Sequence, residues 1–159
     1  MHVVVMGVSG CGKSTTGQLL AKSLGASFID GDSLHPDSNI KKMSEGIPLD
    51  DNDREPWLRD VGKALAKEEN CVIACSSLKR NYRDLIREFA SDAIFLHLNG
   101  TKEILENRMK SRGGHFMKPE MLNSQLATLE NLQVDELGKI YDISESPEEI
   151  VKKFKADFA

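Results

Sequence analysis

Five short apolar runs punctuate the chain, at 2–6, 27–30, 71–75, 93–98 and 139–143. Stretches with helical patterning separate them, at 13–24, 53–69, 79–90, 101–111, 119–130 and 147–158. The runs have the length of buried strands, and the intervening stretches have the length of helices. Strands alternating with helices predict parallel pairing and an α/β layered fold. In such sheets ligands bind beyond the carboxyl ends of the strands, so the residues just after each run are the candidates for chemistry. Two helix starts are well marked. Asp53 precedes a helix with Pro56 in its first turn, and Ser146-Pro147-Glu148-Glu149 supplies a cap, a proline and two acids. Leu19, Leu20, Ser23 and Leu24 are expected on the inner side of the first helix, while residues 33–52 are turn-rich and read as partly irregular. Repeats, low-complexity tracts and Gly/Ser linkers are absent, and 159 residues predict one domain, 1–159.

The first strand runs into Gly7-Val-Ser-Gly-Cys-Gly-Lys-Ser-Thr15, which completes the spacing G-x-x-x-x-G-K-[ST] between a strand and a helix. Glycines 7, 10 and 12 let the backbone approach a ligand closely. Their neighbours' N–H groups and the positive end of the following helix dipole then face a phosphate. Ser9, Cys11 and Thr15 contribute backbone to the same cradle. Lys13 brings a point charge to the β- and γ-phosphates, and the Ser14 hydroxyl is suited to Mg²⁺. A dinucleotide fingerprint fails, because Thr15 stands where its third glycine belongs. A GTPase reading fails too: Asn81-Tyr-Arg-Asp84 lacks the lysine of a guanine-reading motif.

Composition narrows the class further. The net charge of −4 gives no sign of a polyanion-binding surface, and no nucleic-acid motif appears. No run approaches membrane-spanning length. Cys11, Cys71 and Cys75 form no C-x-x-C pair, so reduced thiols in a cytoplasmic protein are expected.

Candidate chemistry follows the remaining strands. After the second come Asp30 and Asp32 around a glycine, then His35; the carboxylates suit a magnesium shell and a substrate hydroxyl. Residues 45–60 hold six acids against two arginines. Within them Arg54 and Trp57 share a helix face, with core packing of Trp57 favoured over ligand contact. After the third strand, Lys79, Arg80 and Arg83 crowd a helix start, where cations oppose the dipole and an anionic ligand would relieve them. Residues 108–118 carry four cations and no acid, with Arg108 and Arg112 one turn apart and a Gly113-Gly114 break. That pattern predicts a lid, about 108–125, that brings arginines onto a phosphoryl group.

These segments together resemble the gluconate kinases, small phosphate-loop carbohydrate kinases related to shikimate kinase. The resemblance rests on the loop at 7–15, on Asp30-Gly-Asp-Ser-Leu-His-Pro36, and on Asn39-Ile-Lys-Lys-Met43 with Gly46-Ile-Pro-Leu49. It continues through Asp53-Arg54 with Pro56-Trp57-Leu58, Cys75-Ser-Ser-Leu-Lys-Arg80 with Tyr82-Arg83, Gly114-His-Phe-Met117, Ser124-Gln125 and Thr128-Leu129-Glu130. Departures are slight: Cys11, Ser77 and Asn131 stand where serine, alanine and proline are frequent. The resemblance implies a three-layer kinase fold with a parallel five-stranded sheet, a mobile lid and a substrate-binding helical region at about 33–69. It implies transfer of the ATP γ-phosphoryl group to the 6-hydroxyl of D-gluconate, and suggests a homodimer. Asp32, His35, Arg54, Trp57, Lys79, Arg83, His115 and Gln125 are then the acceptor's contacts, with Asp32 on the hydroxyl and Asp30 and Ser14 at the magnesium. Lys13, Arg108 and Arg112 stabilise the moving phosphoryl group, with a place against the adenine as the alternative for Arg112, and the loop at Ser146-Pro147 meets the base edge. Two rival readings stay open: a kinase for shikimate, a nucleotide or another sugar acid, and a nucleotide-binding switch without transfer activity.

Overall fold

The computed structural model describes residues 1–111 and 119–159. Five strands, β1 (His2–Met6), β2 (Ser27–Asp30), β3 (Cys71–Ala74), β4 (Ile94–Asn99) and β5 (Gly138–Asp142), form one sheet in the order β2-β3-β1-β4-β5. Every pairing is parallel, with Val4 opposite both Ile73 and Phe95 at the centre. Side chains alternate across β1. Val3 and Val5 join Leu20, Leu96 and Phe154 on one face, whereas Val4 and Met6 join Trp57, Leu58 and Ile73 on the other. Helices α1 (Lys13–Leu24), α5 (Lys102–Ser111), α6 (Pro119–Thr128) and α7 (Pro147–Phe158) contribute to the first layer. Helices α3 (Asp51–Lys67) and α4 (Arg80–Arg87) contribute to the second. Both faces of the sheet are thus covered, as an all-parallel sheet requires.

Local sequence explains most boundaries. Gly12 holds φ +90° at the amino end of α1, and Gly25 ends the helix in the left-handed region with its N–H on the Ala21 and Lys22 carbonyls. The inner face of α1 is Thr16, Gly17, Leu20 and Ala21, shifted from the expected one. Its cause is close approach: a Cβ on Gly17 would lie 2.6 Å from the Phe28 ring. Helix α3 starts two residues before Asp53, because Asp50 accepts from the Asp53 N–H while the Asp53 carboxylate accepts from the Asp50 N–H. Helix α4 runs only from Arg80 to Arg87, with Lys79 as its N-cap. Within the turn-rich stretch, a 3-10 turn (Gly31–Leu34) leads into a helix, α2 (Asp37–Ser44), that the residue pattern alone reads as irregular. Helix α2 buries Asn39, and Ile40 and Met43 stay exposed, so no inward apolar stripe announced it.

Candidate active site

The loop between β1 and α1 is held open for a ligand by its backbone. Gly7 takes φ +147°, and a Cβ there would sit 2.6 Å from the Leu98 carbonyl oxygen. The Gly7 N–H donates to the Ser76 carbonyl at 3.2 Å, tying the loop to the end of β3. Lys13 folds over the loop, its Nζ donating to the Gly7 carbonyl at 3.0 Å and the Val8 carbonyl at 3.2 Å. Arg108 on α5 reaches the Cys11 carbonyl at 3.5 Å and also donates to the Ile143 carbonyl. It thereby joins the phosphate loop to the connection that leads through Ser146 to Pro147, the first residue of α7. Gln125 of α6 also meets the loop, accepting from the Ser9 N–H at 2.7 Å. Gly10, Ser14 and Thr15 occupy their expected places in the loop and the first turn of α1.

A second group lies beyond β2 and β3. Asp30 accepts from the Asp32 N–H at 3.0 Å, which fixes the turn and leaves both carboxylates exposed. His35 is 9% exposed and stacks on Trp57 with ring centroids 3.9 Å apart. Trp57 is buried and its indole N–H donates to the Gly31 carbonyl at 2.8 Å, so it packs as a floor rather than standing free. Burial holds the His35 imidazole below its ordinary pKa, with Asp32 pulling it up and Arg54 pushing it down. The neutral ring lies 3.2 Å from the Asn39 amide through Nδ1. Taking that amide as donor leaves the imidazole proton on Nε2.

Arg54 and Lys79 come together around Tyr82. Arg54 donates to the Tyr82 hydroxyl at 3.3 Å, that hydroxyl donates to Asp51, and Lys79 stands 3.6 Å from the same Asp51 carboxylate. Burial and the Asp51 acceptor raise the Tyr82 phenol to about 12, so it stays protonated. Tyr82 and Asp51 were missing from the sequence-derived contacts. Their signal was the spacing: Asp51 with Arg54, and Lys79 with Tyr82, are each three apart and share a turn.

Arg83 departs from expectation. It is wholly enclosed, and its Nε and a terminal nitrogen meet the two oxygens of Glu136 at 2.7 and 2.9 Å. A further donation at 2.9 Å goes to the Ser77 carbonyl. No face of Arg83 is left for an acceptor. The anion that relieves the crowded cations is internal: Glu136 for Arg83, and Asp135 and Asp84 for Arg80. Burial pushes Glu136 up, but Arg83, the Gln133 amide and Arg87 outweigh it and hold the carboxyl at about 2. Residues 112–118 of the expected lid, Arg112 and His115 among them, lie outside the described residues.

The phosphate loop follows β1 and the Asp32 turn follows β2, and both strands pair in parallel with β3, so the two groups share the carboxyl end of the sheet. Burial raises the Cys75 thiol, just past the end of β3, to about 11. Cys11, Cys71 and Cys75 are all free thiols.

Comparison with known proteins now decides the family. The shikimate kinase family model matches residues 9–157. The thermosensitive gluconokinase of Escherichia coli (strain K12) is 49% identical over 84% of this chain and 73% of its own length. The thermoresistant gluconokinase of the same organism is 44% identical over 93% and 87%. The chain belongs to the shikimate kinase family, among the gluconokinases. The crystal structure of a gluconokinase from Sinorhizobium meliloti 1021 superposes with a TM-score of 0.90 at 47% identity, covering 98% of this chain and 89% of that one. Kinases of this fold use a nucleoside triphosphate and a divalent metal and act on a small molecule. The oxygen donors here suit such a metal. Among the described residues no three His, Cys, Asp or Glu side chains converge on a metal position, and magnesium, which keeps most of its waters, needs only one or two protein ligands beside phosphate oxygens. No helix among the described residues is long and apolar enough to cross a membrane.

Proposed function

We propose that this chain transfers the γ-phosphoryl group of ATP to the 6-hydroxyl of D-gluconate, giving 6-phospho-D-gluconate and ADP. The observation that carries the reading is the pairing of two sites at one end of the sheet: a Lys13-bearing phosphate loop, and a polar group with the exposed Asp30 and Asp32 carboxylates and two cations, Arg54 and Lys79. An acceptor with one carboxylate and a row of hydroxyls matches that group. The gluconokinase relatives, spanning most of the chain, support gluconate over shikimate or another acid and disfavour a switch without transfer activity.

In this reading Asp32 receives the proton of the acceptor hydroxyl as its oxygen bonds phosphorus. The bond from that phosphorus to the bridging oxygen of ADP breaks in the same displacement. Lys13 and Arg108 offset the charge that builds on the phosphoryl oxygens and the leaving group. Arg54 and Lys79, gathered around Tyr82 and Asp51, take the acceptor carboxylate, and His35 presents its Nε2–H to a hydroxyl from the Trp57 floor. Ser14 and Asp30 would hold the magnesium or its water shell, and the ion would supply screening of the phosphate charge. Pro147 and its neighbours border the base. Arg112 and His115 complete the two sites, and residues 108–125 act as the lid of a single domain, 1–159. A helical region at about 33–69 carries His35, Arg54 and Trp57 of the acceptor contacts. We further expect a cytoplasmic enzyme, homodimeric, with no nucleic-acid or membrane partner.

A coupled ADP assay tests this over D-gluconate, shikimate, other sugar acids and nucleoside monophosphates. Gluconate should give saturable, acceptor-dependent turnover. Inertness toward gluconate with turnover on another acceptor overturns the reading.

A further inference from the structure

Helix α6 reaches the phosphate loop through a contact that the chemistry above leaves unused. The Gln125 side-chain oxygen accepts from the Ser9 N–H at 2.7 Å, joining residues 116 apart in sequence. Ser9 lies within the run of backbone amides whose arrangement suits phosphate oxygens. One N–H supports one strong acceptor at a time. A glutamine carbonyl oxygen resembles a phosphate oxygen in reach and lone pairs but lacks its charge, and charge-assisted hydrogen bonds are about twice as strong. Helix α6 has other anchors: Leu122 is buried in the core, and Leu126 and Leu129 pack against it. The helix therefore does not depend on the Gln125 contact to stay folded.

We propose that Gln125 is a displaceable stand-in for a phosphate oxygen, holding the Ser9 N–H until the nucleotide's phosphate tail takes it. Nucleotide binding and the docking of the Gln125 side chain then compete for one amide. This inference rests on the reading of residues 7–15 as a nucleotide site.

Isothermal titration of magnesium-complexed ADP and of a magnesium-complexed non-hydrolysable ATP analogue tests it in the wild type, Gln125→Ala and Gln125→Glu. Circular dichroism confirms that each variant keeps its helix content. Removing the competitor should tighten binding of at least one nucleotide about threefold to tenfold, the span of a typical net hydrogen bond. Gln125→Glu places a charged acceptor on the same amide and repels phosphate, so it should weaken binding by about tenfold or more. Unchanged or weaker binding of both nucleotides by Gln125→Ala overturns the proposal, as does unchanged binding by Gln125→Glu. A wild type that binds neither nucleotide overturns the phosphate-loop reading and this inference with it.

Discussion

At the scale of single residues, charge placement decides function and stability in opposite ways. Lys13 and Asp32 stand at the ligand-facing ends of their loops, so their loss should be felt in chemistry and not in folding. Lys13→Ala should abolish turnover, chiefly by weakening triphosphate binding. Asp32→Asn should keep nucleotide affinity while lowering kcat by about 10²–10⁴. Steady-state kinetics beside nucleotide titration checks both, and near-normal transfer by Asp32→Asn would remove its assigned role. Arg83 and Glu136 are the reverse case. Each is enclosed, and removing the Glu136 charge takes away the carboxylate that pairs with the buried Arg83. Glu136→Gln should lower unfolding free energy by about 3–5 kcal/mol in a denaturant melt. Sequence alone could not separate these two kinds of cation. Arg83 sits in the same basic cluster as Lys79, and its partner lies 53 residues away in a segment with no motif of its own.

At the scale of elements, the parts with strong local signals were the legible ones. The five strands, the phosphate loop and the last helix follow from apolar runs, glycine spacing and the Ser146-Pro147 start. Helix α2 leaves no trace in the apolar pattern because it turns a buried asparagine inward. Asn39 donates to the Asp53 carbonyl at 2.9 Å and lies beside His35, so α2 is held by polar contacts to α3 instead of an apolar stripe. Lys42 adds an ion pair to Asp53 at 2.9 Å. The start of α3 therefore supports both the pocket floor and α2. Asp50→Ala removes one half of its capping pair and should cost about 1 kcal/mol, read as a lower Tm. Because Arg54 is the next residue of that turn, the same variant should raise KM for the acceptor more than KM for ATP.

At the scale of the whole molecule, the interior sets how the fold answers to acid. His97 is fully buried on β4, and among the described residues neither of its ring nitrogens has a hydrogen-bond partner. Burial, reinforced by Arg83 and opposed by Glu136, lowers its pKa to about 4. An unfolded chain takes up that proton near pH 6.5 and the native one only near 4, so this contribution is complete above 6.5 and is lost as pH falls toward 4. His35, also depressed, acts in the same direction. Unfolding free energy at pH 5 should be on the order of 2 kcal/mol below its value at pH 7, and His97→Phe should flatten that slope. An equal slope in the variant would place the acid sensitivity elsewhere. The same layered interior fixes the carboxyl ends of β1, β2 and β3 side by side, which brings a phosphate loop and a sugar-acid pocket within reach of one another. The most direct test is the product itself: incubate the protein with magnesium-ATP and D-gluconate, and locate the new phosphorus by phosphorus–proton correlation NMR. The account predicts phosphorus on the oxygen of carbon 6, one for each ADP released; phosphorus at any other position, or ADP release without a gluconate ester, would contradict it.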